Sequence, residues 1–112
     1  MCIRDSNDTT CGWYENASDE IRGNFRSYLN VSGDSPSWDL LRTAYRSISP
    51  LVIVPVQDLL SLGSDARLNS PGKATGNWQW RMDQSQMDNL FDCSKYLWEQ
   101  AKISGRLKIS EK

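Results

Sequence analysis

Apolar positions recur at helical spacing in three stretches of the chain. In "SDEIRGNFRSYL", residues 18–29, Ile21, Phe25, Tyr28 and Leu29 share one face of a short helix. Ser18 is its predicted N-cap, with Asp19 and Glu20 favoured in the first turn by the helix dipole, while Gly23 weakens the pattern. Ser35 caps a second helix and Pro36 takes its first position, where a missing N–H costs nothing. Trp38, Leu41, Tyr45 and Ile48 form its stripe, Leu40 and Ala44 widen it, and Ser49-Pro50 ends it. The third stretch, "MDQSQMDNLFDCSKYLWEQAKISG", predicts a long helix capped by Asp83 and stopped by Gly105. Its apolar face holds Met87, Leu90, Phe91, Leu97, Trp98 and Ala101, with Ser94 among them.

Between the second and third helices the pattern changes. "LVIVPV", residues 51–56, does not alternate, so both faces are expected to be buried, as in a parallel strand covered by helices. Pro55 fits such a strand only near its end, where pairing stops. "QDLLSLG" predicts a turn of helix closed by Gly63, and "SDARLNSPGKATGNWQWR" has no period at all. A loop of that length is usually functional. Helix, short link and buried strand predict an α/β fold, and a lone parallel strand implies a larger sheet. The chain is therefore expected to be part of a larger α/β protein. The alternative is a small helical domain with "LVIVPV" as a buried helical piece, because short apolar runs separate the two states poorly.

Composition narrows the function. With 13 basic and 14 acidic residues the net charge is −1, which provides no electrostatic pull toward nucleic acid or a membrane surface. No apolar run reaches the length of a membrane span. Histidine is absent, which removes the commonest general base and metal ligand. Cys2, Cys11 and Cys93 are odd in number and lack metal or redox spacing, so they are expected to be free thiols in a reducing compartment. Asn7-Asp8-Thr9, Asn16-Ala17-Ser18 and Asn30-Val31-Ser32 match the glycosylation acceptor pattern. "MCIRDSNDTT" has no greasy stretch and is not expected to be a signal peptide, so the three tripeptides are read as chance matches.

Several residues are candidates for chemistry. Gln57 and Asp58 stand just past the expected strand, where polar groups line the site of an α/β protein; Asp58 equally suits a cap for the helical turn that follows. Arg67 and Asn69 supply the donor fork and the donor–acceptor pair that sugar hydroxyls need, or they brace the loop. In "GNWQWR", Trp78 and Trp80 point opposite ways if extended, one to the core and the other to a ligand or as a brace, with Arg81 beside them. "NDTTCGWY" is either a hydrogen-bonding loop or a frayed terminus.

Three of these stretches, "NDTTCGWY", "PVQDLLSLGSDARLNSPG" and "GNWQWR", in that order, resemble the 4-alpha-glucanotransferase family, the amylomaltases or disproportionating enzymes. The resemblance runs from about Asn7 to about Lys102. It implies the C-terminal part of a (β/α)8 TIM barrel: its last helices, "LVIVPV" as strand eight, and a closing helix over 83–104. It implies a parent enzyme that moves α-1,4-glucan segments to the 4-hydroxyl of an acceptor by retaining chemistry, with three carboxylates. It implies no metal and no organic cofactor. Its partners are α-1,4-glucans, and its location is cytoplasmic, or the plastid stroma in a photosynthetic eukaryote. In the family a His-Asp pair precedes "NDTT", whereas Asp5 and Ser6 stand here, and the nucleophile and acid/base lie upstream. The resemblance thus implies no catalytic residue in this chain and a fragment that is inactive alone. Asn7, Gln57, Asp58, Arg67 and Asn69 are the expected substrate-binding residues, Asn69 foremost as a sugar contact and Asp58 foremost as a structural anchor, with Trp78, Trp80 and Arg81 as rim scaffold. Residues 1–6 are expected to be a non-native leader, 7–105 the barrel part and 106–112 a tail. A non-catalytic α/β binding module and a related amylase-type hydrolase are the alternatives.

Overall fold

The computed structural model describes residues 7–107. The leader expected at 1–6 and the end of the tail, residues 108–112, lie outside the described residues. In order, the chain forms α1 (Thr10–Asn16), α2 (Asp19–Leu29), α3 (Pro36–Tyr45), the single turn α4 (Val56–Leu59), a 3-10 turn (Ser64–Ala66) and α5 (Gln84–Ile103).

The helix ends obey local chemistry. The Ser18 hydroxyl accepts from the Ile21 N–H at the start of α2, and Asn30 closes that helix in the left-handed region at φ 56°. Pro36 occupies the first position of α3, although the Ser35 side chain makes no capping bond. At α5, Asp83 accepts from the Gln86 N–H at 2.7 Å while the Gln86 side chain accepts from the Asp83 N–H at 3.1 Å, a reciprocal capping box.

The expected α/β architecture is not what forms. Among the described residues there is no β-strand, no sheet and no barrel; the fold is helical. Residues 51–55 of "LVIVPV" adopt no regular element, and Val56 opens α4 with Pro55 as its N-cap. The reason is that a strand exists only through its partners. No second strand is present among the described residues to receive the N–H and C=O groups of 51–54, and Pro55 has no N–H to give. The helical turn that was expected to close at Gly63 ends earlier, at Leu59, with Ser61 at φ 55°.

The core is thin. Leu41, Ala66 and Cys11 are the buried apolar residues among those described. Trp13 and Tyr14 of α1 hold Phe25 of α2 at centroid distances of 5.8 and 5.3 Å, and the Tyr14 hydroxyl accepts from Arg26 at 2.8 Å. Helix α5 meets α3 along a strip other than the expected one. Tyr96 packs edge-on to Trp38 at 5.1 Å and its hydroxyl accepts from Arg42 at 2.9 Å, while Gln100 is buried. Of the expected face, Leu90, Leu97 and Ala101 are half-buried, but Phe91 is 76% and Trp98 52% exposed. Leu51 and Ile53 are likewise 71% and 70% exposed. The Cα radius of gyration, 15.6 Å, exceeds the ~13 Å of a compact domain of this length. Arg106, in the stretch expected to be tail, bonds the carbonyls that end α3 and follow it: Tyr45 at 3.0 Å, Ser47 at 3.2 Å and Ser49 at 2.8 Å. Cations suit that end of a helix.

Candidate functional site

Two carboxylates organise the region that holds the candidates. The Thr9 hydroxyl caps α1 by accepting from the Gly12 N–H at 3.1 Å. Directly after it, Thr10 donates twice to Asp58 of α4: its N–H to Oδ1 at 2.8 Å and its hydroxyl to Oδ2 at 2.9 Å. Asp8 receives the Thr9 N–H at 2.8 Å on Oδ1 and the Ser64 hydroxyl at 2.8 Å on Oδ2. Asp58 therefore anchors the start of a helix 48 residues away, not the helical turn in which it sits. A negative group at a helix N-terminus also gains from the dipole, by about 0.3–1 kcal/mol.

This seam borders a cavity of about 430 Å³. Asn7, Asp8, Thr10 and Asp58 supply its polar end, and Trp13, Phe25, Leu40 and Ile53 stand among its apolar walls. The structure thus brings Asn7 and Asp58 together at one cavity. Gln57, Arg67, Asn69, Trp78, Trp80 and Arg81 do not line it.

Gln57 sits in α4, and the other five belong to the loop system that follows. The Gln57 side-chain amide donates to the Ala66 carbonyl at 3.3 Å. Arg67 Nε donates to the Asn69 carbonyl at 2.9 Å, and the Trp78 N–H to the Leu68 carbonyl at 2.6 Å. Asn77 binds both sides of the turn: Oδ1 accepts from the Ser70 N–H at 2.9 Å and Nδ2 donates to the Lys73 carbonyl at 3.0 Å. Arg81 donates to the carbonyls of Trp78 at 3.1 Å and Trp80 at 2.9 Å. The loop is folded on itself, with Gly72 and Gly76 at φ 81° and 83°.

The extended geometry expected for the tryptophan pair is absent. Trp78 sits in the left-handed region at φ 63°, so alternation along a strand does not fix which ways the two rings face. Trp78 is 42% exposed and Trp80 half-buried. Sequence reasoning missed Ser64, Asn77 and the helix beginning at Thr10. Asn77 directly after Gly76 was a usable turn signal. Ser64 gave none, because its partner lies 56 residues away.

Cys11 and Cys93 are free thiols. Among the described residues no cluster of His, Cys, Asp or Glu is arranged to hold a metal ion, and no helix is long and apolar enough to cross a membrane.

Comparison with known proteins adds a family. A family model described as 4-alpha-glucanotransferase matches residues 4–87. A chloroplastic/amyloplastic 4-alpha-glucanotransferase of Arabidopsis thaliana is 39% identical over 103 residues, which is 90% of this chain and 18% of that protein. A 4-alpha-glucanotransferase of Synechocystis sp. is 43% identical over 84 residues, 74% of this chain and 17% of that protein. Among solved structures, an amylomaltase from Streptococcus agalactiae in complex with acarbose superposes with a TM-score of 0.80 at 31% identity. That likeness covers 93% of this chain and 21% of the amylomaltase. The chain therefore spans under a fifth of the length of those two curated relatives.

Proposed function

The chain belongs to the 4-alpha-glucanotransferase family, and from that premise we propose that it forms part of an enzyme that transfers α-1,4-glucan segments to the 4-hydroxyl of an acceptor sugar. The observation behind this reading is the family match through residues 4–87, most of the described chain. The site geometry supports it. Asn7 stands at a cavity that joins a polar end to aromatic and aliphatic walls, the pairing of hydrogen-bonding groups and ring faces that a sugar needs. Asn69 lies in a tightly braced loop, and bracing is what keeps a hydrogen-bonding side chain at a fixed place.

In this reading Asn7 and Asn69 contact glucan hydroxyls, while Arg67 and Gln57 shape the loop beside them and Trp78, Trp80 and Arg81 form its rim. The carboxylates that break and remake the glycosidic bond come from other parts of the enzyme, so the 112-residue chain by itself transfers no glucan. The substrates are maltooligosaccharides and the α-1,4-glucans from which they derive, and no cofactor takes part. The Arabidopsis relative is named chloroplastic/amyloplastic and the Synechocystis relative is bacterial, which supports a cytoplasmic or plastid setting.

The test is a chimera in which residues 7–107 replace the matching segment of the Synechocystis enzyme. Incubated with maltotriose, it should release glucose and build longer glucans. A folded chimera that does neither would overturn the assignment, and one that only hydrolyses maltotriose would move it to the amylase-type hydrolases.

A further inference from the structure

Asp58 is half-buried beside the cavity, yet each of its oxygens already holds a Thr10 donor. A sugar contact of its own would have to compete with two hydrogen bonds of 2.8 and 2.9 Å, both to a charged acceptor and so among the stronger kind. Asp8, two residues before Thr10, is engaged in the same fashion by the Thr9 N–H and the Ser64 hydroxyl. The two carboxylates sew residues 8–10 to the 56–66 segment. The backbones approach so closely there that a Cβ on Gly12 would lie 2.2 Å from the Ser64 hydroxyl.

Candidate glucan contacts lie at both ends of this seam. Asn7 directly precedes Asp8, and the 3-10 turn containing Ser64 leads directly into Arg67 and Asn69. Gln57, next to Asp58, ties down the Ala66 carbonyl at the same junction. Carboxylate–hydroxyl and carboxylate–amide bonds thereby tie the Asn7 side of the cavity to the segment that leads into the Asn69 loop, beside the buried Cys11 and Ala66. We propose that Asp58 is a positioning residue for glucan transfer: through Thr10, and with Asp8 and Ser64 alongside, it holds Asn7 and the Asn69 loop in fixed register without touching sugar. This rests on the transferase reading above.

The chimera carrying residues 7–107 supplies the first test. Asp58→Ala should lower kcat about tenfold or more per folded molecule with KM within about twofold, because misplacement of groups near the chemistry is felt chiefly in the reacting complex. Asp58→Asn should recover most of that loss, since its amide oxygen still accepts the Thr10 N–H and its NH2 can donate to the Thr10 hydroxyl. Thr10→Ala should cost several-fold on its own but under about twofold more on top of Asp58→Ala, as expected for two residues acting through one contact. Additive losses from Asp58→Ala and Thr10→Ala, or an effect confined to KM, would show direct contact with sugar and overturn the proposal.

A second test uses the same chimera and needs no activity. Asp58→Ala should speed amide hydrogen exchange across residues 9–13 and leave the middle of α5 unchanged. Unchanged exchange at 9–13 would overturn the seam whatever the chimera does. An inactive wild-type chimera beside accelerated exchange would instead count against the transferase reading alone.

Discussion

Two glycines inside helices should respond to alanine with opposite signs. Gly12 lies in α1 and Gly23 in α2. Helix propensity alone favours alanine at both by roughly 1 kcal/mol. At Gly23 the added Cβ would meet only the end of Arg26, at 3.9 Å, so Gly23→Ala should stabilise by about 0.5–1 kcal/mol. At Gly12 the Cβ would stand 2.2 Å from the Ser64 hydroxyl, 2.9 Å from Asp8 Oδ1 and 2.9 Å from the Ser64 backbone nitrogen. The hydroxyl could rotate away, but the backbone nitrogen cannot, so α1 must move off the 3-10 turn. Overpacking of this kind costs about 1–3 kcal/mol. Losing the Ser64–Asp8 bond adds about 1 kcal/mol. Set against the propensity gain, Gly12→Ala should destabilise by about 1–3 kcal/mol. Urea unfolding of both variants, followed by circular dichroism, reads the two midpoints against wild type. Stabilisation of similar size in both would refute the close contact between α1 and the 3-10 turn, and with it the seam.

Other expectations follow from single contacts. Asp83→Ala removes the capping box of α5 and should cost about 1 kcal/mol, seen as lost ellipticity at the helix signal. Arg106→Ala frees the carbonyls of Tyr45, Ser47 and Ser49 and should cost about 1–2 kcal/mol, kept low by their partial exposure, in the urea midpoint. In the chimera, Asn69→Ala should lower kcat/KM roughly tenfold to a hundredfold with little change in melting temperature, the loss expected from unpairing a sugar hydroxyl in a partly closed site. Unfolding of that variant with activity retained per folded molecule would make Asn69 a brace instead.

The sequence was most readable where structure is set by nearby residues. Ser18 and Asp83 announce helix starts within one turn, and Pro36 and Gly105 bound theirs by backbone geometry alone. It was least readable where partners are distant. Nothing in "TTCGWYEN" has an uninterrupted apolar stripe, and the first residue of α1, Thr10, finds its partner in Asp58, 48 positions on. "LVIVPV" has strand composition, but composition cannot supply the neighbouring strand that would make it one. The tryptophan pair misled for a related reason. Alternation assumes extended backbone, and the positive φ of Trp78 breaks it inside a loop closed by Asn77. Of the candidate site, the residue types were legible and their grouping was not: Asn7 and Asp58 meet at one cavity, while Arg67 and Asn69 belong to a separate braced loop.

The most direct test of the account is glucan disproportionation by the chimera that carries residues 7–107 in the Synechocystis transferase. With maltotriose as sole substrate, the account predicts free glucose together with a ladder of longer α-1,4-glucans. A chimera that melts cooperatively and yet leaves maltotriose untouched would contradict it.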